Sequence, residues 1–258
     1  MLVGTSHPGN VGAAARAMRA MGLRRLVLAA PRDPQVCAHP EAIARASRAD
    51  DVLAAARIVP SLTQALADRT LAIAVSAETR EFGPPAQTPE ACVRLARDEL
   101  AADTAHRVSF VFGAERTGLS IGEVGLCQAL CSIPGETDYQ SLNLAQAVQV
   151  IAYCLRAQAA ETEATQATLA AADTAAAVAA PGATTAPASP HATQAQVEAL
   201  YVHLERALTG IGFLDPRRPK KLMPRLRRLF TRARLETEEV AILRGICTRI
   251  ERLTRVSR

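Results

Sequence analysis

Short apolar runs alternate with helical patterns along the first 157 residues. Leu2–Thr5, Arg25–Ala29, Leu71–Val75, Arg107–Phe112 and Leu130–Ile133 are runs of four to six residues rich in Val, Leu and Ile. Runs of that length and composition predict strands buried on both faces. Between them, Val11–Met21 carries apolar residues at helical spacing and closes at Gly22, a residue suited to a helix C-terminus. Pro40–Arg48 reads as a helix, and Ser61 caps a shorter one reaching Ala67. Thr88-Pro89-Glu90 opens another, with a cap, a proline in the first turn and an acid near the dipole. Ser120 and Glu123 stand at capping-box spacing. Ser141–Ala157 predicts a long apolar helix with Ser141 as its cap and Asn143 two residues in. Strand–helix alternation predicts an α/β fold with a mostly parallel sheet and helices on both faces.

The pattern then changes. Of the 34 residues from Ala157 to Pro190, 16 are Ala, 6 Thr and 3 Pro. The first half can extend a helix, because Ala is the best helix former. From Ala180, PGATTAPASP cannot be helical and predicts a mobile linker. Beyond it only helical patterns remain, over Gln194–Leu208, part of Pro219–Arg234, and Thr237–Arg255. The expected organisation is a first domain over 1–157, a linker over 158–192 and a small, basic all-α domain over 193–258.

Charge sharpens this division. The chain holds 30 Lys+Arg against 25 Asp+Glu, a net charge of +5. Residues 1–190 carry net −3 and residues 191–258 net +8. The tail is therefore the candidate for meeting a polyanion. A hydrophobic content of 49% excludes a disordered chain, and 3% aromatics with no Trp disfavours an aromatic-built sandwich or barrel. No apolar run reaches the length of about 18 residues that a spanning helix needs, so no membrane association is expected. The start, MLVGTSHPGN, is too short and Gly-rich for a signal peptide. Six cysteines without a CxxC pair read as reduced, mostly buried small hydrophobes of a cytoplasmic protein. There is no HExxH, no GxxxxGK[ST] and no zinc-type Cys/His spacing, so no metal is expected. His7 lies beside the first motif below; His39, His106, His191 and His203 read as surface or helix-end residues.

Four segments carry candidate chemistry. Gly9-Asn10-Val11-Gly12 lies between the first strand and the first helix, where the free N–H groups of the helix start suit an anion such as phosphate, and Arg16 follows. The bland alternative is a strand-to-helix turn with a surface Arg. Gly113-Ala114-Glu115-Arg116-Thr117-Gly118 follows a strand, at the sheet edge where ligands of open α/β folds bind; a solvated ion pair is the competing reading. Ile133-Pro134-Gly135 precedes Ser141-Leu142-Asn143-Leu144, where ordinary capping competes with ligand binding. Arg217–Arg234 holds nine basic residues in 18 and no acid. Leu226, Leu229 and Phe230 can pack there, while Arg217, Arg218, Lys220, Lys221, Arg225, Arg228 and Arg232 are candidate phosphate contacts.

Taken in order, the first three segments resemble the SpoU/TrmH branch of the SPOUT RNA methyltransferases. The matching positions are Asn10 and Arg16; then Gly113, Glu115, Gly118 and Leu119; then Ile133, Pro134, Ser141, Leu142, Asn143 and Leu144. Three ordered motifs are far more specific than one. TSHPGNVGAAARAM, SLNLAQAVQVIAY and RLRRLFTRA are similar to the TrmJ group within that branch. The resemblance implies S-adenosylmethionine as cofactor, a homodimer, a trefoil knot, and tRNA as substrate, methylated at the ribose 2′-oxygen of nucleotide 32. It implies Arg16 at the reacting hydroxyl, with Asn10, Glu115, Ser141 and Asn143 orienting it and the ribose. It implies a methyl-donor pocket of Val75, Ser76, Ala77, Gly113, Ile133, Gln140, Ser141 and Leu142. Val75 stands where the family usually has Thr, Gly4 where it often has an acid, and the amino end is shorter than the family's. The alternatives are an rRNA-directed enzyme of the same branch, or an RNA-binding protein that kept the fold without the activity. A nucleotide-binding enzyme using Gly9–Gly12 is disfavoured, since no Walker motif or ribose-binding acid follows.

Overall fold

The computed structural model describes residues 1–136, 141–173 and 189–256. Its centre is a seven-stranded sheet. In chain order the first unit runs β1 (Leu2–Val3), α1 (Pro8–Ala20), β2 (Val27–Ala29), α2 (Pro40–Ala46), α3 (Asp50–Ala54), β3 (Arg57–Val59), α4 (Leu62–Leu66) and β4 (Leu71–Val75). It continues with β5 (Ala86–Gln87), α5 (Pro89–Ala102), β6 (Val108–Phe112), α6 (Ile121–Val124), β7 (Ala129–Cys131) and α7 (Leu144–Asp173). The strand order is β3-β2-β1-β6-β4-β7-β5, and all of these pairings are parallel. The α/β class read from the alternation is thus the observed one.

The sheet is buried on both faces, as its continuous apolar strands require. On one face Leu28, Ile73 and Cys131 meet Val11 and Ala14 of α1, Cys92 of α5, and Val148 and Ile151 of α7. On the other, Val111 and Leu130 meet Leu62 and Leu66 of α4 and Val124 of α6. Small residues let α1 and α2 approach closely: a Cβ on Gly12 would stand 2.0 Å from the Ala42 carbonyl oxygen. Thr88 caps α5 as expected, and Ser120 with Glu123 forms the capping box of α6. All six cysteines are free thiols, four of them buried. Burial, with Glu123 nearby, pushes the Cys127 thiol up to about 12, so it is inert at neutral pH.

Several boundaries differ from the sequence reading. α1 starts at Pro8, three residues before Val11, so Gly9 and Asn10 lie in its first turn. Asn143, rather than Ser141, precedes α7: its side chain accepts from the Ala145 N–H at 2.9 Å, and Gln146 reaches back to the Asn143 N–H at 3.2 Å. The expected linker begins inside a helix, because α7 continues to Asp173. At its other end Ala192 is buried. Residues 174–188, which hold 15 of the 34 residues of the Ala/Thr/Pro-rich segment, lie outside the described residues.

The second unit consists of α8 (Gln194–Gly210), α9 (Leu222–Ala233) and α10 (Thr237–Val256) around Leu200, Leu235 and Val240. It packs on the first unit. The Gln194 N–H donates to the Arg69 carbonyl at 2.8 Å and the Gln128 amide to the Gln194 carbonyl oxygen at 2.7 Å. The expectation that His106 and His191 are surface or helix-end residues is corrected here. His106 is buried, its ring stacks on His191 at 5.2 Å, and both surround the buried Glu99. No helix among the described residues is long and apolar enough to cross a membrane.

Candidate active site

The chain runs outward from β1 toward β2 and β3, then returns to build β4 on the far side of β6. Such a reversal opens a crevice beyond the carboxyl ends of the central strands. The loop after β6 turns back there. The Gly118 N–H donates to the Ala114 carbonyl at 2.9 Å, and Gly118 adopts φ +62°. Gly113 lies against this return: a Cβ there would stand 2.1 Å from Gly118 C and 2.3 Å from Leu119 N. Both glycines are therefore demanded by local geometry.

The turn presents Glu115 to the start of α1. Its carboxylate accepts from the Ser6 N–H at 3.1 Å, the His7 N–H at 3.2 Å and the Asn10 amide at 3.3 Å. The N–H groups near this helix start thus face a carboxylate of the chain itself, where the sequence suggested a ligand phosphate. Burial raises the Glu115 pKa. The hydrogen bonds from its own, the Ser6 and the His7 N–H groups and from Asn10 outweigh that, so the carboxyl sits below the usual range.

Asn10 carries the connection onward, because its carbonyl oxygen accepts from the Asn143 amide at 3.0 Å. Glu115, Asn10 and Asn143 belong to three separate motifs, and this chain of hydrogen bonds joins them. Asn143 also caps α7, so its orientation is fixed by a helix terminus.

Beside this chain lies a cavity of about 230 Å³. Val75, Ser76, Ala77, Gly113, Ile133, Ser141 and Leu142 all line it. These are the candidate cofactor residues apart from Gln140, which lies outside the described residues. The lining also includes Arg116 and Thr117 of the second candidate segment, and Arg80, which the sequence reading passed over. Arg80 donates to the Leu119 carbonyl at 3.0 Å, tying the segment after β4 to the segment after β6.

Arg16 is exposed on α1, and no hydrogen bond or ion pair holds its side chain among the described residues. None of Asn10, Glu115, Ser141 and Asn143 is hydrogen-bonded to it. Arg217, Arg218, Lys220, Lys221, Arg225, Arg228 and Arg232 are all exposed, and Lys221 pairs with Glu81 at 2.5 Å. Two arginines of the same run have intramolecular work. Arg227 pairs with Glu198 and lies over the Tyr201 ring at 4.3 Å, and Arg234 reaches Glu99 at 2.7 Å.

Comparison with known proteins bears on this geometry. Residues 1–153 match the model of the SpoU rRNA Methylase family. The chain belongs to that family. Residues 195–258 match a second model, described as tRNA methyltransferase TrmJ, C-terminal domain. This chain is similar to tRNA (cytidine/uridine/adenosine-2'-O-)-methyltransferase TrmJ of Pseudomonas aeruginosa, 41% identical over 99% of this chain and 94% of the relative's length. A Yersinia enterocolitica relative, tRNA (cytidine/uridine-2'-O-)-methyltransferase TrmJ, is 39% identical over 98% of this chain and 90% of its own. Among solved structures, TrmJ from Z. mobilis superposes with a TM-score of 0.76 at 31% identity, covering 97% of each chain. A probable methyltransferase from Bordetella pertussis superposes at 0.57 with 46% identity, over 60% of this chain and 91% of that one.

Proposed function

We propose that this chain is an S-adenosylmethionine-dependent methyltransferase acting on a ribose 2′-hydroxyl of tRNA, at nucleotide 32 of the anticodon loop. The observation that carries the reading is the Glu115–Asn10–Asn143 chain beside the cavity. Relatives of about 40% identity over nearly the whole length are named as tRNA 2′-O-methyltransferases. That supports tRNA over rRNA as substrate and an enzyme over a bare binding protein. Position 32 follows from the likeness to the TrmJ group.

The cavity suits such a cofactor. Val75, Ile133 and Leu142 offer apolar contact for a purine, while Ser76, Thr117 and the Arg116 guanidinium suit the zwitterionic end of an amino acid. Bound there, S-adenosylmethionine supplies a methyl group on a sulfonium, an electrophile with a neutral leaving group. The protein must then position the hydroxyl, take its proton and exclude water. Arg16 holds an RNA phosphate and the 2′-oxygen. A guanidinium stays protonated in proteins, so Arg16 favours the alkoxide electrostatically, and the proton leaves with the help of that phosphate. Asn10, Glu115, Ser141 and Asn143 fix the start of α1 and the acceptor side of the site.

The same reading assigns 1–157 to catalysis and 193–258 to tRNA binding through Arg217, Arg218, Lys220, Lys221, Arg225, Arg228 and Arg232. It includes a trefoil knot, a cytoplasmic enzyme and a homodimer. Supporting the dimer, Met18, Leu100 and Leu155 border a groove of about 510 Å³ over α1, α5 and α7. Leu100 is 52% exposed, and nearby on α7 Tyr153 is 61% exposed.

The test is to incubate the purified chain with methyl-labelled S-adenosylmethionine and bulk tRNA, then map the labelled nucleotide. A 2′-O-methyl at position 32 is expected. Label on a base, or no transfer, overturns the proposal. Sedimentation as a monomer at micromolar concentration counts against the dimer.

A further inference from the structure

A second cavity, of about 440 Å³, opens where α9 faces the first unit. One wall is the loop of Phe82, Pro84 and Pro85, another is Ile121 of α6, and α9 closes it with Pro224 and Arg228. The floor is apolar, ending on the buried Cys127. Gln128 also borders it, but its amide is already committed to Ala72 at 2.7 Å and to Gln194 at 2.7 Å.

The mouth is cationic. Arg228 and Arg232 line it, are exposed and have no carboxylate partner among the described residues. The nearby acids are spoken for: Glu81 pairs with Lys221 at 2.5 Å, and Glu123 is held in the capping box of α6. Lys221 also stands over the Phe82 ring, 5.1 Å from its centroid, and so pins the loop to the start of α9. The segment 75–85 runs from the methyl-donor cavity at Val75–Arg80 straight into this cleft.

We propose that the cleft is a slot for one unpaired nucleotide flanking the methylated one. The base inserts between the Phe82–Pro85 wall and α9, and its phosphates lie on Arg228 and Arg232. This deepens the tRNA reading above and rests on it. An apolar slot with guanidinium groups at its rim and no acid free to repel a polyanion matches single-stranded RNA, where bases stack and phosphates pair. With Gln128 committed within the fold, the slot recognises a π-face and not a base edge. It therefore accepts any of the four bases.

The test uses the full chain and a short single-stranded oligoribonucleotide carrying one 2-aminopurine. Gly122 lines the cleft, and a Cβ built on it meets nothing within 4 Å. Gly122→Phe thus adds a ring at the cleft lining with room for its Cβ. Ile121→Ser, at a side chain 71% exposed, removes part of a wall by an independent route. Each is expected to weaken RNA binding about tenfold or more while leaving the slope of log affinity against log salt unchanged, because no phosphate contact is lost. Arg228→Ala should instead lower that slope by about one. The 2-aminopurine signal should report stacking with the wild type and lose it with Gly122→Phe. Unchanged S-adenosylmethionine binding shows that each variant is folded.

If Gly122→Phe and Ile121→Ser both bind the oligonucleotide like the wild type, the slot is overturned while the methyltransferase reading stands. If the wild type binds no RNA, both are overturned. If Gly122→Phe alters only the sedimentation of the protein, the cleft is a protein-docking surface and the proposal fails.

Discussion

Arg234 of the second unit donates to the Glu99 carboxylate of the first at 2.7 Å. The receiving side chain is only 2% exposed. His191 adds a contact at 2.9 Å on the same oxygen. The other oxygen, Oε1, is buried without a hydrogen bond and lies 3.5 Å from His106 Nδ1. A buried carboxylate held this way makes the junction between the units strongly dependent on its cation. Arg234→Met should cost about 3 kcal/mol of unfolding free energy, because it leaves the charge buried and uncompensated. The double variant with Glu99→Gln should recover much of that loss in urea denaturation, through a large coupling energy.

The same carboxylate sets a pH response. Burial raises the Glu99 pKa, but the nearby Thr70 hydroxyl and the charges of Arg234, His191 and His106 outweigh it, so the carboxyl sits below its usual range. Glu115 is lowered likewise. A depressed carboxylate contributes stability that is fully present above its unfolded pKa and is lost as pH falls through the folded value. Thermal unfolding should therefore show a stability plateau above about pH 5 and a decline below the ordinary carboxylate range near 4.3. Glu99→Gln should flatten the decline, and an unchanged acid limb would remove Glu99 from this account.

Chemistry should separate from cofactor binding at Arg16. Arg16→Ala is expected to keep the affinity for S-adenosylmethionine, since the side chain lines no part of that cavity. Its single-turnover methylation rate should fall by about 10² or more. Asn10→Ala breaks the link between Glu115 and Asn143, and should lower the same rate with a smaller change in cofactor affinity. Isothermal titration and rapid quench measure the two quantities.

Gly113→Ala tests the return of the loop after β6. The added methyl would stand 2.1 Å from a backbone carbon, which cannot retreat as a side-chain end can. Overpacking of this kind costs about 1–3 kcal/mol. The turn that opens would take the cavity wall with it, so loss of cofactor binding should exceed the loss of stability.

Removing residues 191–258 should weaken tRNA binding and make it less sensitive to salt, because the net +8 of the chain's end goes with them. The remaining unit should still bind S-adenosylmethionine. It should melt at a lower temperature than the full chain, since Glu99 loses Arg234 and His191, and Gln128 loses Gln194. Glu99→Gln in the truncated chain should raise that temperature.

Most of the sheet was legible because its inner strands are continuous apolar runs. The edge strands β3 and β5 were not, because β3 is largely exposed and β5 is only Ala-Gln, so neither makes a buried apolar run. The start of α1 was missed although Pro8 supplies its first-turn signal; Gly9 and Asn10 read as loop. Ser141 and Asn143 are equally good caps by type, and Gln146, three residues after Asn143, was the cue that decides between them. The candidate cofactor residues within the described chain do meet in one cavity, because each follows a neighbouring strand end. What the sequence could not disclose is pairing across distance. Nothing in RRPKKLMPRLRRLFTRAR distinguishes Arg227 and Arg234 from the arginines that stay in solvent. Likewise nothing marks His106, which lies seven residues from Glu99 along the chain, as its buried neighbour.

The turn between Gly113 and Gly118 has a consequence for how such a protein can diversify. Loops usually change function by gaining or losing residues. This one is closed upon itself by the Ala114–Gly118 bridge, and it carries the cavity wall and Glu115 within six positions. An insertion there would displace the cavity wall and the anchor of α1 together. Length variation is thus barred at the centre, and evolutionary change of substrate falls to parts that can move independently of it. The appended helical unit, where Arg225, Arg228 and Arg232 are exposed without a carboxylate partner among the described residues, is such a part.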